Sequence, residues 1–144
     1  MNNCFDFATE MDGNCSNLVE LLSYRASHQP AQKAYTFLKG GEIEAGELNY
    51  QQLHLQAQTI ATYLQSLEAA GERALLLYQP GLEFVCAFFG CLYANVVAVP
   101  AYPPRRNQNL SRLQAIATDS QATIVLTTTA LLDNLKERSR EDLN

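Results

Sequence analysis

The sequence has no glycine-rich loop of the kind that holds phosphates or a nucleophile. Its seven glycines end at Gly90, so the last third of the chain has none. Neither GxGxxG nor GxxxxGK[ST] occurs, and GxSxG is absent too. Since backbone N–H groups close on a phosphate only where glycines allow it, these absences exclude a recognisable nucleotide-binding loop in these residues.

Basic charge is also scarce. Lys and Arg number 10 against 15 Asp and Glu, which leaves a net charge of −5 and a pI near 4.9. A nucleic-acid-binding domain usually carries a net positive charge, so this class is disfavoured. The adjacent arginines Arg105 and Arg106 are therefore a local feature in an acidic chain.

The four cysteines form no metal-binding pattern. They are separated by unequal intervals with no CxxC pair, and only two histidines accompany them. A zinc site is therefore not expected. On a helix, Cys86 and Cys91 would lie on different faces, and we expect buried free thiols in a reducing cytoplasm.

No apolar run is long and clean enough to predict a membrane span. The best candidate, residues 82–99, is interrupted by Glu83, Gly90 and Asn95 and is closed by Pro100. A membrane helix needs about 20 mostly apolar residues. The N-terminus also lacks the basic and apolar segments of a secretory signal, so we expect a cytoplasmic protein without membrane insertion.

A chain of 144 residues that is 47% hydrophobic and 17% charged is expected to form one domain with one core. The order of its predicted elements indicates an α/β fold. A helix over 17–27 precedes a hairpin with its turn at Gly40–Gly41. From residue 73 the pattern alternates strand, helix, strand, helix, strand, which favours right-handed βαβ units and a parallel sheet. In this pattern "VVAV" (residues 96–99) is expected to be a buried central strand, and "NLSRLQAIATDS" (109–120) the helix after it. A final helix follows "TIVLT", with Thr129 as its expected cap.

The clearest predicted helix begins after Asn49. Gln52 stands three residues later, which is a capping-box arrangement, and Gly71 is expected to end the helix. His54 flanks the apolar stripe of this helix. We interpret it as a packing residue at the edge of the core rather than as a catalytic base, because no partner lies nearby in sequence.

Three loops are expected at the ligand-binding edge of the sheet. In a parallel α/β sheet, ligands collect beyond the carboxyl ends of the strands, where residues 79–81, 100–106 and 127–129 would lie. Pro80–Gly81 could open an anion-binding helix N-terminus, but Glu83 would repel a phosphate, so a structural turn is favoured. The arginines at 105 and 106 could pair with carboxylates or phosphates or could simply be solvated. No residue set completes a catalytic site, a cofactor site or a metal site.

Residues 81–112 are the part of the chain that most specifically resembles a known family. The segments "GLEF", "AFFGCLYA", "AVPAYPPR" and "LSRLQAI" resemble the start of fatty acyl-AMP ligases, members of the acyl/aryl adenylate-forming superfamily. The resemblance extends over about 18–132. It implies the partial N-terminal subdomain of an adenylate-forming enzyme, with a parallel βαβαβ sheet flanked by helices and an N-terminal β-hairpin.

The resemblance also implies a reaction for the full-length enzyme. ATP, Mg²⁺ and a fatty acid would give an acyl-adenylate, whose acyl group passes to an acyl carrier protein of a polyketide or nonribosomal peptide assembly line. The family's ATP loop, its adenine and ribose motifs and its catalytic lysine are not in these 144 residues. We therefore expect residues 1–144 to be an N-terminal fragment of the adenylation domain, inactive alone, with residues 1–16 flexible.

The site residues that the resemblance suggests are Tyr102 and Arg105, as substrate-binding or interdomain contacts, with contact to the rest of the adenylation domain favoured. Two positions depart from the family pattern: Asn95 replaces a glycine and Gln79 replaces a frequent proline. Asparagine tolerates the left-handed conformation, so the turn at Asn95 is expected to survive.

Two further expectations complete the sequence interpretation. A non-catalytic α/β binding or docking module is the alternative to the ligase fragment, since no catalytic residues are found. A fragment of a larger domain would also expose surfaces that the rest normally covers, so we expect self-association, as a dimer.

Overall fold

A computed structural model describes residues 15–104 and 110–141, and for residues 138–141 it describes the backbone only. The elements in chain order are α1 (Leu18–His28), β1 (Lys33–Lys39), β2 (Ile43–Asn49), α2 (Tyr50–Ser66), β3 (Arg73–Leu77), α3 (Leu82–Tyr93), β4 (Val97–Ala101), α4 (Ser111–Ser120), β5 (Ile124–Thr127) and α5 (Thr129–Glu141). The predicted α/β class, with a hairpin before a parallel sheet, is confirmed. Residues 1–16 were expected to be flexible, and all of them except 15 and 16 lie outside the described residues. The Arg105–Arg106 pair lies outside them too.

The parallel sheet has the strand order β4-β3-β5. Leu75 of β3 is aligned with Val99 on one side and with Val125 on the other. The expectation that residues 96–99 form the buried central strand is therefore wrong, because β3 lies in the middle and β4 pairs with β3 alone among the described strands. Val97 is 52% exposed. A β-branched run indicates a strand but not the position of that strand in the sheet. Its position depends on the side of the sheet to which the following crossover leads the next strand.

Helices lie on both faces of this sheet. The chain passes through α3 from β3 to its neighbour β4, then through α4 back across β3 to β5. By the rule that parallel crossovers are right-handed, two crossovers that run in opposite directions place α3 and α4 on opposite faces. Ala74 and Leu76 belong to the core on the α3 side. Because the three strands are parallel, the ends of β3, β4 and β5 lie at one edge, and the change of direction at β3 opens a crevice there.

The two helical cysteines lie in different parts of the core, as predicted. Cys91 is fully buried in the cluster against the sheet, together with Leu64 and Leu76. Cys86 is 3% exposed in the second cluster, among residues of α1, α2 and β2. Both thiols are free.

The start of α2 follows the prediction. The Asn49 side chain accepts a hydrogen bond from the Gln52 N–H (2.8 Å), and the Gln52 side chain accepts one from the Asn49 N–H (3.0 Å). This reciprocal capping box satisfies two N–H groups that the helix itself leaves unpaired. The buried stripe of the helix consists of Leu53, Ala57, Ala61 and Leu64.

The end of α2 differs from the prediction. The helix ends at Ser66, several residues before Gly71. Glu68 takes the left-handed conformation (φ 54°), and the N–H groups of Glu68 and Ala69 donate to carbonyls of the last helical turn (2.9 and 3.2 Å). This is a Schellman motif, which glycine usually closes. The stop was missed because a glutamate occupies the glycine position.

The hairpin forms as predicted. Gly40 and Gly41 have φ values of 66° and 83°, which a glycine turn supplies at no steric cost. β2 continues through Gly46, although the register shifts beside it. None of the described helices is both long and apolar enough to cross a membrane.

Candidate functional site

The carboxyl ends of the three parallel strands meet at one edge, as the sequence predicted. Leu77, the last residue of β3, is aligned with Ala101 of β4 and with Thr127 of β5. The Thr127 hydroxyl donates a hydrogen bond to the Leu77 carbonyl (2.7 Å). The loops that follow β3, β4 and β5 therefore leave the sheet side by side.

A groove of about 300 Å³ lies at this edge and is called the carboxyl-edge groove here. Its lining residues come from the loop after β3, the first turn of α3 and the end of β4: Tyr78, Gln79, Pro80, Phe84, Pro100, Ala101 and Tyr102. Aromatic rings, prolines and an alanine make most of this wall, and none of its described residues carries a carboxylate, an amine or a thiol. Such a surface suits an apolar ligand group or an apolar protein segment.

Tyr102 is the predicted site residue that the structure describes. It lines the carboxyl-edge groove and is 81% exposed. It also borders a smaller cavity of about 140 Å³ on the α4 side, beside Arg112 and Ile116. Tyr102 therefore projects between two concave surfaces. The other predicted residue, Arg105, lies outside the described residues.

Tyr78 is a groove residue that the sequence interpretation missed. The apolar run "RALLLY" (residues 73–78) is typical of one continuous strand, but β3 stops at Leu77 and Tyr78 begins the loop. Burial raises the pKa of the Tyr78 phenol to about 12, so the hydroxyl stays protonated and able to donate a hydrogen bond even at pH values where an exposed tyrosine ionises. An aromatic residue directly after an apolar strand run, followed by "QP", was the available signal.

The N-terminus of α3 is poorly suited to an anion. Gly81 caps this helix without a side-chain hydrogen bond. One oxygen of the Glu83 carboxylate lies 2.9 Å from the position that a β-carbon on Gly81 would occupy. The carboxylate thus already occupies the positive end of the helix dipole and would repel a phosphate there. This geometry supports the structural-turn interpretation of Pro80–Gly81.

The cap of α5 is not the predicted residue. The helix begins at Thr129, and the Thr128 hydroxyl, not that of Thr129, accepts a hydrogen bond from the Leu131 N–H (3.4 Å). With three consecutive threonines the sequence pattern cannot distinguish which one precedes the helix. The strand pairing decides it, because Thr127 is still paired with β3.

His54 lies away from the carboxyl-edge groove, in contact with α3. Its Nδ1 is 2.8 Å from the hydroxyl oxygen of Tyr93, and the two rings meet edge to face at 5.6 Å. Burial raises the pKa of the Tyr93 phenol to about 12, partly offset by a hydrogen bond with Ser23. The pair joins α2 to α3, which agrees with the predicted packing role of His54.

The described part of the site carries few polar side chains. Across residues 15–104 and 110–141, no three His, Cys, Asp or Glu side chains come together as a metal site. The groove wall presents the phenols of Tyr78 and Tyr102 and the Gln79 amide as its polar side chains. No carboxylate, histidine or cysteine is among these described lining residues.

Comparison with known proteins gives the family. The profile of the family described as "AMP-binding enzyme" matches residues 22–143. The chain is 50% identical over 129 residues to the medium-chain-fatty-acid--[acyl-carrier-protein] ligase JamA of Moorena producens, covering 88% of this chain and 22% of the relative. It is 34% identical over 122 residues to the long-chain-fatty-acid--AMP ligase FadD26 of Mycobacterium tuberculosis, covering 83% and 21%.

A solved structure shows the same architecture. The fatty acyl-adenylate ligase of L. pneumophila, in complex with acyl adenylate and pyrophosphate, superposes with a TM-score of 0.77 at 42% identity. The match covers 83% of this chain and 21% of that one. The chain thus spans about a fifth of the length of the curated relatives it matches. It belongs to the AMP-binding enzyme family and corresponds to the N-terminal part of an adenylate-forming ligase.

Proposed function

We propose that this chain is part of a fatty acyl-AMP ligase that activates a fatty acid with ATP and delivers it to an acyl carrier protein. The main observation in support of this proposal is the 50% identity to a medium-chain-fatty-acid--[acyl-carrier-protein] ligase over 129 residues. In the reaction the fatty-acid carboxylate attacks the α-phosphate of ATP, pyrophosphate leaves, and a carrier thiol then displaces AMP. We propose that the ligase acts in the cytoplasm and supplies a polyketide or nonribosomal peptide assembly line.

The 144 residues do not carry out this reaction alone. The described residues lack a carboxylate cluster that fits Mg²⁺, and the α3 N-terminus carries Glu83 where a phosphate would need a positive end. Binding of ATP and stabilisation of the α-phosphate charge are assigned to the rest of the ligase.

The chain's own contribution is a scaffold with a contact surface at its carboxyl edge. Tyr102 is 81% exposed beside an apolar groove of about 300 Å³. Because Tyr102 adjoins the apolar lining of the groove, the two together form a surface of the kind that packs against another protein surface. We assign Tyr102, together with Arg105, to contact with the remainder of the adenylation domain, with direct contact to the substrate as the alternative.

A graft tests the proposed function. The segment of the Moorena ligase that matches this chain is replaced by the corresponding residues of this chain, of which half are already identical. We expect the graft to release pyrophosphate in the presence of ATP, Mg²⁺ and a medium-chain fatty acid, to form acyl-AMP detectable by mass spectrometry, and to acylate the carrier protein. The 144-residue chain alone should do none of these.

Two outcomes would contradict the proposal. One is a graft that is folded by circular dichroism and melts like the parent ligase, yet releases no pyrophosphate. That result would favour the non-catalytic docking module. The other is turnover by the 144 residues alone, which would overturn the assignment of catalysis to the rest of the ligase.

Variants of Tyr102 in the same graft separate the two contact roles. If Tyr102 packs against the remainder of the domain, Tyr102→Ala should lower the melting temperature of the graft but not that of the isolated chain. If Tyr102 contacts substrate, the variant should raise KM for the fatty acid at an unchanged melting temperature. Tyr102→Phe is the matched control, since it keeps the ring and removes only the hydroxyl.

A further inference from the structure

The parallel sheet of the described residues has two outer edges, one on β4 and one on β5. β3 pairs with both of these strands, so it has no free side. Side-chain exposure does not distinguish the two edges, because Val97 of β4 and Val125 of β5 are 52% and 54% exposed. The difference between the edges lies in the backbone groups that each of them presents.

The edge on β4 is blocked by Pro100. The Val97 N–H donates a hydrogen bond to the Glu72 carbonyl (2.8 Å), so Val97 bonds toward β3. Because successive residues of a strand direct their N–H and C=O groups to opposite sides, Ala98 and Pro100 face outward. Proline has no N–H group, and within sheets it is confined to edge strands, with that side toward solvent. Pro100 is exposed, so within β4 the outward N–H donor is that of Ala98.

The edge on β5 carries no such block. β5 contains no proline, so each of its outward-facing residues keeps both its N–H and its C=O group. Among the described strands, β5 pairs with β3 alone. Leu126 of β5 packs against the core on the α3 side. A row of unpaired backbone groups on a strand anchored in the core is a template for a further strand.

The helix after β5 indicates where that strand comes from. β3 and β4 are each followed by a helix and then by the next strand, and α5 continues this alternation after β5. A parallel strand needs a crossover of a dozen or more residues, which the 13 residues of α5 supply. The match to the Moorena ligase covers 22% of that relative. Within such a ligase, a strand that follows α5 and joins this sheet has its open edge on β5.

We propose that the remainder of the ligase adds a strand to this sheet parallel to β5, while β4 remains an outer strand. The inference rests on the proposed function, since it requires the rest of such a ligase. A step outward from β5 continues the direction from β4 to β5, so the right-handed rule places α5 on the same face as α4. The added strand ends beside Thr127, and its following loop extends the carboxyl edge on the side away from Tyr102.

Hydrogen–deuterium exchange at single amides tests this edge, in the 144-residue chain and in the graft into the Moorena ligase. The 144-residue chain is measured at a concentration at which sedimentation shows a monomer. There the outward-facing amides of β5 should exchange rapidly, and in the graft the same amides should exchange about tenfold more slowly or less. The Ala98 amide is the matched control on β4 and should exchange rapidly in both proteins. The Val99 amide, which faces β3, should exchange slowly in both.

Three outcomes would overturn the proposal. Slow exchange of all four β5 amides in the monomeric chain would mean that the edge is already occupied within these 144 residues. Rapid exchange at β5 in a graft that is folded and releases pyrophosphate would mean that no strand is added there, and it would leave the proposed function intact. Slow exchange of the Ala98 amide in the graft would mean that β4 is not an outer strand. Conversely, a graft with protected β5 amides and no pyrophosphate release would support the added strand and contradict the proposed function alone.

Discussion

At the scale of single residues, three residues other than glycine within the described ranges adopt the left-handed backbone conformation: Glu68, Asn95 and Gln121, each with φ between 53° and 56°. Asparagine visits this region at lower cost than other residues with a β-carbon. Asn95 also accepts a hydrogen bond from the Gly71 N–H at its carbonyl (2.8 Å), which links the end of α3 to the chain before β3. The turn therefore survives the departure from the family's glycine, as expected.

Substitutions at Asn95 test this conformational argument. Asn95→Gly should leave the free energy of unfolding unchanged or raise it slightly, because glycine adopts positive φ without strain. Asn95→Val should lower it by about 1–2 kcal/mol, since a β-branched side chain is strained there. Urea unfolding followed by circular dichroism measures both. Equal stability of the two variants would show that the left-handed turn is not maintained in solution.

At the scale of elements, the capping box is the local feature that the sequence predicted most directly. It depends only on Asn49 and Gln52, three residues apart, and both hydrogen bonds are present. The helix end was missed because a Schellman motif can be closed by a residue other than glycine when tertiary contacts support it. Ala69, which follows the left-handed Glu68, is 2% exposed and packs in the main core.

The contribution of the cap can be measured directly. Asn49→Ala should lower the free energy of unfolding by about 1 kcal/mol, because the Gln52 N–H loses its acceptor. Asn49→Asp keeps an acceptor at the helix N-terminus and should retain most of the stability. Gln51→Ala, at the exposed neighbour, is the control for a general effect on the helix. If Asn49→Ala and Gln51→Ala were equally stable, the cap would contribute nothing.

The contact between α2 and α3 depends on the small size of Gly90. A β-carbon at this position would lie 2.6 Å from Cγ2 and 2.7 Å from Cβ of Ile60. Gly90→Ala should therefore lower the free energy of unfolding by about 1–3 kcal/mol through overpacking, despite alanine's higher helix propensity. Ile60→Ala should cost less stability in the Gly90→Ala chain than in the unmodified chain, because there it also removes the clashing Cγ2, although the Cβ of residue 60 remains. A Gly90→Ala chain as stable as the unmodified one in urea would contradict this close packing.

At the scale of the whole molecule, burial keeps several weak acids protonated. It raises the pKa of the Cys86 and Cys91 thiols to about 11 and those of the Tyr78 and Tyr93 phenols to about 12. Each group ionises more readily in the unfolded chain than in the folded one. Their contribution to stability is therefore complete below pH 9.0, the ordinary thiol value, and is lost as the pH rises through 11 to 12.

The free energy of unfolding should accordingly fall steadily as the pH is raised above about 9, at constant ionic strength. Urea titrations at a series of pH values measure this. The double variant Cys86→Ala/Cys91→Ala should show a shallower decline, because two of the titrating groups are gone, whatever its stability at neutral pH. A stability that did not change with pH in this range would mean that the thiols and phenols are more hydrated than the structure shows.

The sequence by itself determined the elements of this protein. Hydrophobic periodicity, turn glycines and the capping box depend on neighbours within a few residues, so strands, helices and the hairpin could be derived without the fold. The carboxyl edge also followed from topology alone, because parallel strands end on the same side. The segment 81–112 further identified the family, which the comparisons confirmed.

The tertiary structure decided what depends on distant partners. Which strand is central depends on the return of the crossover from β4 to β5, and this placed β3, not "VVAV", in the middle. Tyr78 and Phe84 became groove residues only because the ends of β3 and β4 are adjacent. The exposure of Leu55, Tyr63 and Leu67 likewise follows from which face of α2 the sheet and α3 cover. Burial depends on how the whole molecule packs. The hydrophobicity pattern of the sequence shows only which side chains are apolar enough to be buried.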